Sequence, residues 1–169
     1  MVTIRRARTD DADFLVELVT HEDVEPYLAA VRAKGREEIL AEITRSGAEP
    51  EAFGVFVVEV DGKRAGTMRF ERANVRSRIA NLGGLAVHPD FRGAKVADTA
   101  ARLFQRHLFE DLGYHRVQME IYGFNERAMR HAERAGFTRE GVRRKAYWRN
   151  DEWVDSVLYG LLAEELGDE

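Results

Sequence analysis

One stretch of this chain, residues 82–103, limits what the whole can fold into. Its sequence LGGLAVHPDFRGAKVADTAARL begins as an apolar strand, passes through a loop with Arg92 and Gly93, and ends as an amphipathic helix. A strand that runs into a helix requires a sheet with helices packed on it. The free N–H groups at the start of the helix attract phosphate, and the arginine adds positive charge. The segment indicates an α/β fold, and phosphate binding and an ordinary strand-to-helix turn explain its loop equally well.

The hydrophobic periodicity of the remaining chain predicts one domain. The chain has 169 residues, of which 44% are hydrophobic and 33% charged, enough to bury a single core. Apolar residues at helical spacing predict helices at about 9–20, 24–35, 36–46, 96–112 and 126–135. β-Branched and aromatic runs predict strands at 2–7, 53–60, 65–70, 79–87, 117–121 and 154–162. This order implies a mixed α/β sheet covered by helices.

Composition excludes several classes of function. The chain has 26 Lys and Arg against 30 Asp and Glu, and the net charge of −4 opposes bulk binding to nucleic acid. Nothing approaches the roughly 20 apolar residues that span a bilayer, and the amino terminus lacks the apolar core of a signal peptide. We therefore expect a cytoplasmic protein with no membrane partner. The absence of cysteine removes thiolate chemistry, and the histidines lack metal-ligand spacing, so we expect no metal site.

Two motifs, in order, resemble those of the GNAT superfamily of N-acetyltransferases. The segment LAVHPDFRGAKVA at 85–97 is similar to the acyl-CoA signature of that superfamily. The segment NERAMRHAERAGF at 125–137 is similar to its second signature, with the asparagine, the small residue and the closing Gly-Phe. Residues 138–162 resemble the C-terminal hairpin of the branch that contains ribosomal-protein alanine and polyamine acetyltransferases. The resemblance runs from about residue 3 to 162.

The resemblance implies one GNAT-like domain over 1–169 with a mixed, mostly antiparallel and splayed central sheet flanked by helices. It implies acceptor-side helices at about 9–46, an acetyl-CoA loop and helix at 85–112, and a C-terminal hairpin at about 137–162. Acetyl-CoA is the implied co-substrate. Backbone groups near Leu85 would stabilise the oxyanion that forms when an amine attacks a thioester. The implied cofactor-binding residues are Leu85, Ala86, Val87, Arg92, Gly93, Ala94, Lys95, Val96, Ala97 and Asn125.

Lys95 departs from the family pattern, which usually has glycine at this position. If the position needs a positive φ, the lysine side chain costs energy there. If it does not, lysine adds a cation beside the pyrophosphate. We expect CoA binding to be retained, because Arg92, Gly93 and Ala97 are intact, and we expect Lys95→Gly to leave CoA affinity within a few-fold.

The residues for proton transfer also depart from the family. The position of the glutamate that several members use as general base is Asn81, and the position of the tyrosine acid is Ala132. Water or another group must then take the proton of the amine. The local candidates are Glu71, His88 and Tyr122. Each also has a structural interpretation, in which the residue ends an exposed strand, shapes a loop or packs on the sheet, respectively.

Three further features have more than one interpretation each. The basic run at 139–149 suits the adenosine 3′-phosphate of CoA, an acidic acceptor or a solvated hairpin. Tyr147, Trp148 and Trp153 suit an acceptor cleft or a cross-strand aromatic cluster. The acidic residues of the amino-terminal segment suit a cationic amine or a solvated helix start; they are Asp10, Asp11, Asp13, Glu22, Asp23 and Glu25.

We therefore expect an acetyl-CoA-dependent N-acetyltransferase in which a bound primary amine attacks the thioester directly. The acceptor is a protein or peptide N-terminus or a small polyamine-like amine, and the sequence does not rank these. The alternative is a non-catalytic acyl-CoA-binding or regulatory module, suggested by Asn81, Lys95 and Ala132. An edge strand at 154–162 would offer a surface for pairing with a second copy, which makes a homodimer the expected assembly.

Overall fold

The strands of the protein form one sheet, in the order β1-β2-β3-β4-β5-β7-β6. The structure is a computed structural model that describes residues 1–28, 34–93 and 95–168. The strands are β1 (Val2–Arg6), β2 (Phe53–Val60), β3 (Lys63–Asn74), β4 (Ile79–Val87), β5 (Arg116–Tyr122), β6 (Thr138–Arg149) and β7 (Glu152–Leu162). The helices are α1 (Ala12–Thr20), α2 (Arg36–Ala48), α3 (Val96–Arg106) and α4 (Glu126–Arg134).

Every neighbouring pair of strands is antiparallel except β4 and β5, which are parallel. That parallel pairing covers only residues 79–81 of β4 and 116–118 of β5. Beyond Asn81 and Gln118 the two strands have no register partners in each other, and a cleft opens between them. The expected mixed, mostly antiparallel sheet flanked by helices is confirmed.

Both faces of the sheet are covered by helices. On the α3–α4 face, Phe56 and Phe70 pack with Phe104 in an aromatic core. On the α1–α2 face, buried residues from α1, α2 and β2 form a second cluster that includes Leu15 and Ile43. Because β2 lies between these two layers, its run FGVFVV is buried on both sides instead of alternating. No helix in the described ranges is both long and apolar enough to cross a membrane.

The helix expected over 24–35 is wrong for the part that the structure describes. Residues Glu25–Tyr27 form a single 3₁₀ turn, and Leu28 returns to an extended backbone with ψ 128°. Pro26 lacks an amide hydrogen, so it fits the first turn but provides no donor for a longer helix. Residues 29–33, which include the predicted apolar position Val31, lie outside the described residues.

The helix expected over 96–112 is shorter than predicted, and the expected edge strand is wrong. α3 ends at Arg106, and His107–Asp111 continue it as a wider π-helical turn before Gly113, whose φ is +72°.

β7 is internal to the sheet, because β6 folds back along its outer side. The free edges of the sheet therefore belong to β1 and β6, so the reason given for a homodimer does not hold for β7.

Candidate active site

The cleft between β4 and β5 is built by a bulge in β4. Arg69 of β3 pairs with Gly83 and Thr67 pairs with Ala86, so two residues of β4, Gly84 and Leu85, have no register partner on β3. Gly84 has a φ of +63°, which glycine adopts without steric cost. The bulge lies where β4 has also lost its β5 partner. The backbone around Leu85 is therefore available to a ligand in the cleft.

A close contact between β3 and β4 supports the same region. A Cβ atom on Gly66 would lie 2.4 Å from the carbonyl oxygen of Ala86. A methyl group cannot fit at that distance from backbone, so only glycine lets β3 approach the end of β4 this closely. The sequence of β3 thus contributes to the shape of the β4 edge.

The loop after β4 leads directly into α3. Gly93 has a φ of +93° and Lys95, which precedes the first residue of α3, has a φ of +57°. The left-handed backbone at Lys95 is the conformation that favours glycine, so the lysine is strained there. Ala94 lies outside the described residues. Val96 is buried against the core and Ala97 lies in the first turn of α3.

The second motif begins at the other side of the cleft. The Oδ1 atom of Asn125 accepts a hydrogen bond from the amide of Ala128 at 3.2 Å and caps α4. Arg92, from the loop after β4, donates through Nη2 to the carbonyl oxygen of Asp23 at 3.1 Å. Arg92 and Asn125 meet in a cavity of about 300 Å³. Its lining residues are Asp23, Tyr27, Arg92, Phe124, Asn125, Glu126 and Arg127.

Glu71 lies at the closed end of the cleft. It pairs across the sheet with Asn81, and its carboxylate accepts a hydrogen bond from Nη1 of Arg45 at 3.0 Å. The Oδ1 atom of Asn81 accepts from Nε2 of Gln118 at 2.8 Å, which ties β4 to β5 at the last pair before they separate. The amide at position 81 therefore closes the base of the cleft.

His88 and Tyr122 lie at the open ends of β4 and β5, respectively. Nδ1 of His88 accepts from the Asp90 amide at 3.2 Å, and Nε2 lies 3.3 Å from the carboxylate of Glu17. Tyr122 is buried beneath the guanidinium of Arg149, which is 5.5 Å from the ring centroid, and burial raises the pKa of Tyr122. Among the residues that the structure describes, the contacts of His88 and Tyr122 have no residue in common with each other or with those of Glu71. The structure does not join the three candidates into one group, and their catalytic role stays a prediction.

Glu120 is a carboxylate in the cleft that the sequence did not single out. It follows Gln118 by two residues on β5, so it lies on the same α1–α2 face, beyond the point where β4 separates. Its two oxygens accept from the hydroxyl of Tyr147 at 2.5 Å and from Nη1 of Arg143 at 2.8 Å. Hydrogen bonding to Glu120, followed by burial, raises the pKa of Tyr147.

The structure separates the basic run at 139–149 into individual contacts. Arg143 bonds Glu120, and Arg149 lies 3.4 Å from the carboxylate of Glu25 and donates to its carbonyl oxygen at 3.2 Å. Trp148 and Trp153 form an exposed cross-strand pair with centroids 5.2 Å apart. These contacts join the hairpin to the amino-terminal segment and to the floor of the cleft.

Four of the six acidic residues of the amino-terminal segment pair with arginines of the protein itself, namely Asp10, Asp11, Asp13 and Glu25. Asp11 is fully buried, and Arg5 and Arg64 donate to it at 2.6–2.9 Å. Burial opposes ionisation of Asp11, but these bonds and one from the Arg8 amide outweigh it and hold its pKa well below the usual range. Asp13 pairs with Arg36 at 2.6 Å.

No group of three or more histidine, aspartate or glutamate side chains in the described ranges could hold a metal ion. Ala132 occupies the position of the family's tyrosine acid. It lies on α4 and is completely buried within the core.

The chain belongs to the GNAT acetyltransferase family, because the family described as "Acetyltransferase (GNAT) domain" matches residues 1–138. It is similar to the uncharacterized N-acetyltransferase YokL, derived from the SPbeta prophage of Bacillus subtilis strain 168, with 32% identity over 118 residues. That alignment covers 69% of this chain and 66% of the relative. The chain thus aligns with just under two thirds of the length of this curated relative.

Solved structures share the whole fold. The spermidine N-acetyltransferase from Vibrio cholerae, in complex with CoA and spermine, has a TM-score of 0.87 at 22% identity and covers 98% of this chain and 97% of that one. The ribosomal L7/L12 alpha-N-protein acetyltransferase RimL, in complex with coenzyme A, has a TM-score of 0.83 at 17% identity and covers 95% and 93%. At these identities the likeness establishes the GNAT fold.

Proposed function

We propose that this protein transfers the acetyl group of acetyl-CoA to a primary amine. The observation that carries the proposal is the cleft, in which β4 leaves β5 after Asn81 and bulges at Gly84 and Leu85. An extended thioester arm fits along this edge because β4 has no partner on β5 beyond Asn81, and Gly84 and Leu85 have none on β3 either. Arg92 stands where the loop would meet the pyrophosphate, so the described residues fit an acyl-CoA.

The chemistry follows from direct attack of the amine on the thioester. The nitrogen lone pair bonds to the acyl carbon, and the carbonyl oxygen gains negative charge that backbone donors near Leu85 stabilise. The carbon–sulfur bond then breaks, the thiolate of CoA leaves, and the amine loses its proton. A protein without cysteine has no thiol to carry the acetyl group, which favours transfer in a single displacement.

We assign binding of the amine to Glu120. Its carboxylate lies beside the opened part of the cleft, is about one-quarter exposed, and is fixed by Tyr147 and Arg143. A fixed carboxylate attracts the ammonium form of the acceptor, which loses one proton to Glu120 or to water before its lone pair attacks. The same carboxylate stabilises the positive charge that develops on nitrogen during attack. The proton that the nitrogen loses after attack likewise passes to Glu120 or to water.

The acceptor class includes a peptide N-terminus and a polyamine-like amine. Both classes appear in the names of the structural neighbours, one bound to spermine and one acting on a ribosomal protein. The cytoplasmic location and the homodimer expected from the sequence both stay predictions.

Thiol release from acetyl-CoA tests the proposal, and the chain contributes no thiol background because it lacks cysteine. We expect release with at least one class in a panel of N-terminal peptides, polyamines, aminoglycosides and amino acids. CoA binding by calorimetry without release from any amine would instead favour a non-catalytic acyl-CoA-binding module. No binding of CoA would overturn both functions.

Variants then locate the groups that act on the amine. We expect Glu120→Gln to lower kcat/KM about 100-fold, a loss typical of a group that assists proton transfer. Glu71→Gln tests the first of the three sequence candidates, a carboxylate on the same face that is also bonded to an arginine. His88→Gln and Tyr122→Phe test the other two candidates. Full activity in Glu120→Gln together with a large loss in one of these would move the role to that residue.

A further inference from the structure

Arg127 stands in the cavity that Arg92 and Asn125 share, at the outer end of the cleft. It belongs to the first turn of α4 and is exposed. We propose that Arg127 binds a phosphate group of the acyl-CoA and forms with Arg92 a pair of guanidinium groups around the charged end of the cofactor. The inference rests on the proposed function and adds to it the residue that recognises the nucleotide end.

The direction of Arg127 follows from contacts farther along α4. Nδ1 of His131 lies 2.8 Å from the carboxylate of Asp98, in the first turn of α3, and Arg134 reaches the same carboxylate at 3.4 Å. Residues four apart share a helix face, so Arg127 lies on the face of α4 that carries His131. Arg127 is one turn nearer the start of α4, where the cavity borders the loop that follows β4.

The guanidinium of Arg127 is open to an anion. Of the two carboxylates in the cavity lining, Glu126 lies 3.8 Å from Arg130 of its own helix. The other belongs to Asp23, whose backbone carbonyl oxygen accepts from Arg92 at 3.1 Å and so holds the second guanidinium at the cavity. Within the described parts of the chain, Arg127 makes no ion pair. A guanidinium group left open in this way is suited to bidentate binding of phosphate.

The basic run at 139–149 does not supply this charge. Arg143 and Arg149 bond the carboxylates of Glu120 and Glu25 on the α1–α2 side of the cleft. Arg127, in the first turn of α4, is therefore better placed for the nucleotide end of the cofactor. CoA carries phosphate there in two places, the pyrophosphate and the adenosine 3′-phosphate.

Calorimetric binding of CoA and of 3′-dephospho-CoA tests the inference without relying on turnover. We expect Arg127→Gln to weaken CoA binding about tenfold, and Arg127→Lys to retain affinity within about threefold because the charge remains. Arg130→Gln is the matched control, since it removes an exposed arginine from the next turn of the same helix. We expect it to change CoA affinity less than twofold.

The two ligands identify the phosphate. A loss with CoA alone places Arg127 on the 3′-phosphate, and an equal loss with both ligands places it on the pyrophosphate; each result supports the inference. Unchanged CoA affinity in Arg127→Gln overturns the inference. An equal loss of CoA affinity in Arg130→Gln also overturns it, and so does a loss in Arg127→Gln that is accompanied by a lower midpoint of urea unfolding. Failure of the unmodified protein to bind CoA would count against the proposed function, a distinct outcome.

Discussion

At the scale of single residues, Lys95 combines a strained backbone with a position at the start of α3. An L-residue in the left-handed region costs about 1–2 kcal/mol relative to its relaxed conformation. Glycine would remove this cost, although it also increases the entropy of the unfolded chain. The lysine side chain thus stands beside the loop that follows β4 at the expense of some stability.

We expect Lys95→Gly to raise the free energy of unfolding by about 0.5–1 kcal/mol, because relief of the strain exceeds the entropy that glycine adds. We also expect CoA affinity to stay within a few-fold of the original. Urea unfolding measures the first quantity and calorimetry the second.

Lys145 provides the control, because it is a second lysine with a positive φ, +48°, in the β6 strand away from α3. Lys145→Gly should give a similar gain in stability with unchanged CoA affinity. A large gain in affinity specific to Lys95→Gly would show that lysine impairs the native site.

At the scale of elements, the β4 edge depends on its neighbour as much as on its own sequence. The bulge at Gly84 and Leu85 needs β3 to lie close to Ala86, and Gly66 provides that space. The edge of β4 that borders the cleft is therefore specified by β3 and β4 together.

We expect Gly66→Ala to lower the free energy of unfolding by about 1–3 kcal/mol, the range for overpacking a tightly packed site. Because the new methyl group would push against the carbonyl of Ala86, CoA affinity should also fall about tenfold, equivalent to about 1.4 kcal/mol. Urea unfolding and calorimetry measure the two effects.

Gly47→Ala is the matched control, since Gly47 lies inside α2 and a Cβ there meets no atom within 4 Å. That variant should be at least as stable as the original, because alanine has the higher helix propensity and Gly47 lies in the last turn of α2. Unchanged CoA affinity in a folded Gly66→Ala protein would show that the β3–β4 contact does not influence CoA binding.

The sequence predicted local elements well where periodicity was strong, as in the β2–β3 hairpin with its Asp61-Gly62 turn. It did not predict Glu120, because the importance of that carboxylate depends on where β4 and β5 separate. Separation is decided by pairing between residues 35 or more positions apart, such as Asn81 with Gln118. The position of β7 inside the sheet was missed for the same reason, since strand order depends on long-range pairing.

At the scale of the whole molecule, pairs of charged groups join elements that are distant in the chain. Burial opposes ionisation of Glu42, yet hydrogen bonds from Arg69 and Lys34 outweigh it and lower the pKa of Glu42. The hydrogen bond from Arg116 likewise lowers the pKa of Glu140 and ties β5 to β6. These carboxylates bind fewer protons in the folded protein than in the unfolded chain, so they stabilise the fold above their ordinary pKa values.

His131 makes the free energy of unfolding depend on pH in a range closer to neutral than the carboxylates do. Burial lowers the pKa of His131 below its ordinary value of 6.5, although the bond to Asp98 acts in the opposite direction. The unfolded chain therefore takes up the proton first as the pH falls. The contribution of His131 is complete above pH 6.5 and is lost progressively below it, with a slope of at most about 1.4 kcal/mol per pH unit.

We therefore expect the contribution of His131 to the free energy of unfolding to be constant between pH 7.5 and 8.5. Below pH 6.5 this contribution should decline. A steeper decline should follow near pH 4, where the paired carboxylates take up protons. Urea unfolding at half-unit steps from pH 8.5 to 3.5 measures both phases. His131→Gln, which keeps a donor for Asp98 but cannot titrate, should flatten the phase between pH 6.5 and 5 and preserve the later one. The same slope in both proteins between pH 6.5 and 5 would place the proton uptake elsewhere in the molecule.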